Sequence, residues 1–189
     1  DSITHLFEGD PNVPNRGERL WKERYAPRHA LNLGFGWDRT QNALWRLAHG
    51  EFAGQTPRLV VVLIGTNNLT GTDRARTNTP AEIVEGLQAV CGQILAASPG
   101  SRILLHGVFP RGGAPSDPLR ERTTEVNALL APWAKSQPAI RFENIGHRFV
   151  SPDGTISVDI MNDGVHLTEA GYRLWADAID PIISATLGA

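Results

Sequence analysis

Serine, histidine, aspartate and asparagine gather in four short segments of this 189-residue chain, a set of types suited to acyl transfer. Such chemistry needs a nucleophile, a base to deprotonate it, a group to orient the base, and donors for an oxyanion. Asp1-Ser2-Ile3-Thr4 offers a hydroxyl, although a serine near a chain end is uninformative alone. Asn32-Leu33-Gly34-Phe35-Gly36-Trp37-Asp38 reads first as a tight strand-to-helix turn, with Asp38 capping the helix behind it. Gly65-Thr66-Asn67-Asn68 follows the most apolar run, where asparagine ordinarily serves the turn itself. In Asp163-Gly164-Val165-His166-Leu167-Thr168 a carboxylate precedes an imidazole by three residues. It can orient the ring and select its tautomer, or cap a turn.

These segments have to be positioned by regular elements. Short β-branched runs predict strands at Ala30–Gly34, Leu59–Ile64, Arg102–Val108 and Ile140–Asn144. Leu59–Ile64 is apolar on both alternating faces, as in a parallel strand covered on two sides. Helical patterns fill Gly17–Ala26, Arg39–His49, Pro80–Ala97, Pro118–Lys135 and Thr168–Leu187. Thr79, Pro80 and Glu82 make a capping box with proline at the first helical position. Ile83, Leu87, Val90, Ile94 and Leu95 then form one apolar stripe. Thr168 caps the last helix, where Pro181 predicts a kink or an early break. The alternation indicates one α/β domain over residues 1–189, a three-layer sandwich around a parallel sheet. Catalytic groups collect on loops at the carboxyl ends of the strands in such sheets, which is where the last three segments fall.

Composition narrows the function. Hydrophobic residues make up 41% and charged residues 20%, with a formal net charge of -2, an ordinary globular profile. Acids and bases are mixed along the chain, so no basic footprint for nucleic acid and no polybasic membrane patch is present. A small neutral or weakly polar substrate suits this balance better than a polyanion. Cys91 is the single cysteine, which rules out an internal disulfide and a cysteine metal cluster. No apolar run is long enough for a transmembrane helix. No His, Asp and Glu cluster has metal-ligand spacing, no cofactor is called for, and localisation is left open.

In order and spacing the four segments resemble the blocks of the SGNH (GDSL) hydrolase superfamily. Asp1-Ser2-Ile3-Thr4 resembles the Gly-Asp-Ser block without its glycine, and the other three follow in sequence across essentially the whole chain. Leu44-Trp45-Arg46-Leu47, His49-Gly50-Glu51, Asn67-Asn68 and Pro110-Arg111-Gly112 carry a closer likeness. It points to the catalytic subunits of intracellular platelet-activating-factor acetylhydrolase and to bacterial esterases. The resemblance implies a serine esterase acting on a small-molecule ester, with acetyl or other short acyl groups removed through an acyl-serine intermediate. It makes Ser2 the nucleophile, His166 the base and Asp163 its orienting partner. Oxyanion donors would be the backbone N–H of Ser2, that of Trp37, and the side-chain amide of Asn67. Trp37 stands where the family usually has glycine; a backbone donor survives this change, and the indole either points away or narrows the site towards acetyl groups. The implied sheet is flavodoxin-like, with five strands ordered 2-1-3-4-5 and the first strand upstream of Asp1. It follows that the natural protein is expected to extend beyond this N-terminus. The resemblance also allows a homodimer, for which no sequence feature speaks.

Two other readings compete. Gly34-Phe35-Gly36 hints at a dinucleotide turn, but Arg39 occupies the third glycine position. A non-catalytic SGNH scaffold is the other, against which the presence of all three triad residue types argues. Outside the blocks, His5, His29, His49, His106 and His147 lack a carboxylate at telling spacing, and His106 reads as a core group. Trp21, Trp45, Trp133 and Trp175 read as core packing, with Trp21 within possible reach of the site mouth.

Overall fold

A sheet whose strands are apolar on both faces must be covered on both faces, and this requirement organises the molecule. The structure, a computed structural model, describes residues 1–188. Three parallel strands, β1 (Leu59–Val62), β2 (Arg102–His106) and β3 (Ile140–Glu143), lie in that order. Along β1 and β2 the side chains alternate between two cores. Val62, Ile103 and Leu105 join one, while Leu63, which directly follows β1, and Leu104 join the other. The first core is closed by α3 (Thr40–Ala48), α4 (Pro80–Ala97) and α5 (Pro118–Lys135). The second is closed by α1 (Ser2–Glu8), α2 (Glu18–Leu20) with its π-helical continuation Trp21–Tyr25, and α6 (Glu169–Leu187). The result is a single α/β/α domain.

Helix starts follow the local chemistry. Thr79 accepts from the Glu82 N–H, and Glu82 returns a bond to the Thr79 N–H at 2.9 Å. Thr168 caps α6 through the Gly171 N–H. That helix runs through Pro181 to Leu187, so the proline does not end it. Seven buried residues on one side of α6, Trp175 and Ile179 among them, hold the helix together across the missing hydrogen bond. Pro132 sits inside α5 in the same manner.

The strands stop short of their apolar runs for a reason visible at β2. Beyond it, Val108 gives its N–H to Asn127 Oδ1 at 2.8 Å and receives Asn127 Nδ2 on its carbonyl at 2.9 Å. A side chain of α5 thus replaces the ladder, and the chain is free to enter a loop. The segment Ala30–Gly34 departs further from expectation: it is not a strand, so among the described residues the sheet holds three of the four strands expected within this stretch. An extended segment becomes a strand only where a neighbour pairs with its N–H and C=O groups. Here the Gly34 N–H bonds instead to Asn32 Oδ1 at 2.8 Å. A groove of about 630 Å³, lined also by Phe7, Trp175 and Ile179, runs between this segment and β1.

Candidate active site

Ser2 is the first residue of α1, so its backbone N–H is among the first-turn donors that have no intrahelical acceptor. Asp1 caps this helix, accepting from the Ile3 N–H at 3.0 Å. Ile3, Leu6 and Phe7 bury the opposite side, leaving Ser2 only partly covered. Tyr172 of α6 donates its hydroxyl to the Ile3 carbonyl at 2.7 Å, and Arg16 reaches the Leu167 carbonyl at 2.9 Å. These bonds pin the two ends of the chain to each other.

That pinning brings His166 to Ser2. The Ser2 hydroxyl lies 2.9 Å from His166 Nε2, across 164 positions of sequence. On the ring's far side, Nδ1 is 2.6 Å from Asp163 Oδ2. The other carboxylate oxygen, Oδ1, accepts the backbone N–H groups of Val165 and His166 at 2.9 and 2.7 Å. Turn capping and ring orientation are therefore not alternatives for Asp163; it does both. Burial alone would raise its pKa, but the His166 side chain and these two N–H donors outweigh that and hold it below the usual carboxylate value. An ionised Asp163 facing Nδ1–H leaves Nε2 as the acceptor for the serine proton.

The second block closes on α1, and the third closes on the second. Gly34 lies against it so tightly that a Cβ would stand 2.3 Å from the His5 nitrogen, which leaves room only for glycine. Asn32 Nδ2 donates to the Thr4 carbonyl at 2.7 Å. Phe35 to Asp38 form a turn closed by the Asp38 N–H, with Trp37 at its third position and φ of 66°. Such a turn favours glycine there, and a bulky residue at positive φ costs about 1–3 kcal/mol. Trp37 is 80% exposed, so the residue stands in solvent rather than packed in an enclosed acyl pocket. Asn67 occupies the turn Thr66–Leu69 after β1, and its Nδ2 donates to the Asp38 carbonyl at 3.0 Å. An amide has two hydrogens, so one Asn67 N–H remains for a ligand. Arg111, half-buried behind this turn, donates to the Thr66 carbonyl at 3.1 Å.

Asp38 does not cap α3. Arg39 is the N-cap residue, and Asp38, 7% exposed, pairs instead with Arg46 at 2.9 Å. Trp21 packs edge-on against Phe7 at 5.8 Å, on the margin of the core. Trp45 is 60% exposed and stacks on His49 rather than joining the core. His106 is a core group, as read from the sequence: Nε2 accepts from Trp175 Nε1 at 3.0 Å and Nδ1 lies 3.2 Å from the Glu143 carbonyl. Sequence reasoning passed over the residues that hold the blocks in place, namely Arg16, Arg39, Arg120 and Tyr172. Of these only Arg39 drew notice in the sequence, as the residue that breaks the dinucleotide-type glycine pattern.

Residues 1–174 match the GDSL-like Lipase/Acylhydrolase family. The platelet-activating factor acetylhydrolase IB subunit alpha2 of Rattus norvegicus is 38% identical over 168 residues, covering 88% of this chain and 70% of the relative. Among solved structures, a GDSL-like lipase from Bacteroides thetaiotaomicron superposes with a TM-score of 0.75 at 19% identity, over 97% of this chain and 84% of its own. An acetyl xylan esterase superposes with a TM-score of 0.73 at 18% identity, over 97% and 96%. With a family match across most of its length and a relative this similar, the chain belongs to the GDSL-like lipase/acylhydrolase family and is an ester hydrolase.

Proposed function

We propose that this protein removes acetyl or similarly short acyl groups from small esters through an acyl-serine intermediate on Ser2. The observation that carries the proposal is the 2.9 Å contact between Ser2 Oγ and His166 Nε2. In the first step Ser2 Oγ attacks the acyl carbonyl while its proton passes to His166 Nε2, and the carbonyl oxygen becomes an oxyanion. The backbone N–H groups of Ser2 and Trp37 and the free amide hydrogen of Asn67 receive that charge. Collapse breaks the bond to the leaving alkoxide, which takes the proton from His166. Water, deprotonated by the same imidazole, then attacks the acyl-serine and releases the acid. Asp163 holds the ring in the required tautomer throughout and balances the imidazolium. Preference for acetyl is supported by the acetylhydrolase activity in the name of the 38% identical relative, not by the exposed Trp37.

The test is hydrolysis of p-nitrophenyl acetate by the protein and by Ser2→Ala, together with mass mapping of a fluorophosphonate adduct. A loss of at least about 10³-fold in kcat for the variant, and an adduct on Ser2, are expected. Equal rates for the two proteins would refute the assignment of the nucleophile.

A further inference from the structure

The second and third blocks each contribute an oxyanion donor in the reading above, yet they sit on separate loops, one before α3 and one after β1. Something has to fix the distance between them. Arg39 lies two residues beyond Trp37, and its guanidinium crosses to the third block. Nε donates to the backbone carbonyl of Asn67 at 3.0 Å. Nη2 lies 2.7 Å from the Thr70 carbonyl, 2.9 Å from that of Arg76 and 3.4 Å from that of Asn68. No carboxylate within ion-pair distance of Arg39 appears among the described residues. The cation is instead spent on carbonyl oxygens of one loop, an arrangement suited to the planar fork of arginine and not to a lysine ammonium.

Neighbouring bonds make the connection reciprocal. Asp38 takes the Asn67 side chain on its carbonyl at 3.0 Å, while Arg39 grips the Asn67 main chain. One hydrogen of the amide is thereby committed, and the direction of the other follows from where the main chain is held. Thr40 and Asn68 close the lacing with two further bonds, of 3.0 and 3.1 Å.

We propose that Arg39 is a positioning residue of the oxyanion site: by clamping the Asn67 loop to the second block it aims the free Asn67 N–H at the developing charge. This inference rests on the esterase reading and on Asn67 as a donor. Arg39 touches no reacting atom, so its loss should lower kcat and leave KM within about two-fold, because a transition-state interaction is weakened.

A double-mutant cycle on the whole protein tests it, using Arg39→Gln, Asn67→Ala and the double variant with p-nitrophenyl acetate. Asn67→Ala should lower kcat by about 10²–10³-fold and Arg39→Gln by about ten-fold. In the Asn67→Ala background Arg39→Gln should cost less than about two-fold, since the group being aimed is gone. Arg39→Lys should fall between the wild type and Arg39→Gln, and supplies the same cycle should the glutamine variant not fold. Multiplicative losses, or a rise in KM with kcat kept, would overturn the proposal while leaving the esterase reading intact. A wild type without Ser2-dependent hydrolysis would instead remove that reading, and this inference with it.

Discussion

Asp163 divides its two carboxylate oxygens between the turn and the imidazole, which makes its ionisation matter twice. Asparagine at this position keeps one carbonyl oxygen and so can serve only one of the two tasks. If that oxygen stays on the turn, the amide N–H₂ faces Nδ1 and selects the wrong tautomer, with Nε2 protonated and unable to accept from Ser2. Asp163→Asn is therefore expected to lower kcat by about 10³–10⁴-fold, with KM and the thermal midpoint little changed. Steady-state kinetics with p-nitrophenyl acetate decides it, and a loss below ten-fold would show that the carboxylate is not needed for orientation. Trp37 illustrates a different point at the same scale. The function assigned to it uses only a backbone N–H, so the side chain is free to stand in solvent and the strained φ is the cost of having no glycine there.

Among the elements, the loops hold the site and the helices hold the loops. The Gly112 N–H donates to the Gly164 carbonyl at 2.8 Å, coupling the loop after β2 to the loop that carries Asp163 and His166. Both glycines have positive φ, 83° and 75°, and a Cβ on Gly164 would stand 3.3 Å from the Gly112 Cα. Arg120 of α5 secures this clasp by donating to the carbonyls of Arg111, Gly112 and Gly154 at 3.2, 2.7 and 3.1 Å. Gly164→Ala adds both the left-handed backbone penalty and the close contact. A destabilisation of about 1–2 kcal/mol is expected, with kcat reduced because the His166 loop is displaced. Urea unfolding and kinetics measured together check this; an alanine variant with wild-type stability and kcat would show that the loops are not coupled as described.

At the scale of the whole molecule, acid should unfold the protein partly through a buried group outside the triad. Burial pushes the pKa of His106 down to about 4, only partly opposed by its bond to the Glu143 carbonyl. In the unfolded chain the same ring titrates near 6.5. Between those values the unfolded state binds a proton that the folded state does not, so stability rises with pH across the window. The contribution is fully present above about pH 6.5 and is lost as pH falls towards 4, on the order of 3 kcal/mol in all. Denaturant midpoints measured from pH 7.5 to pH 4 should fall accordingly, and His106→Gln, which cannot titrate, should flatten that part of the curve. An unchanged slope in the variant would assign the acid sensitivity to other groups.

Read alone, the sequence determined the fold class and the main helices, which are local or periodic properties: a capping box, an apolar run with both faces covered and a carboxylate three residues from an imidazole are all written within a few positions. It was the resemblance of the four blocks, in order and spacing, to the SGNH superfamily that marked Ser2, Trp37, Asn67, Asp163 and His166. The sequence missed that Ala30–Gly34 would not pair into the sheet, that Asp38 would pair with Arg46 rather than cap α3, and that Trp45 would remain exposed. Each of those outcomes depends on what arrives from elsewhere in the chain, and a ladder, an ion pair or a buried face does not exist until a distant segment supplies its other half. The tertiary structure alone decided that an imidazole and a hydroxyl 164 positions apart would stand at 2.9 Å, and that Arg39 would spend its charge on the Asn67 loop.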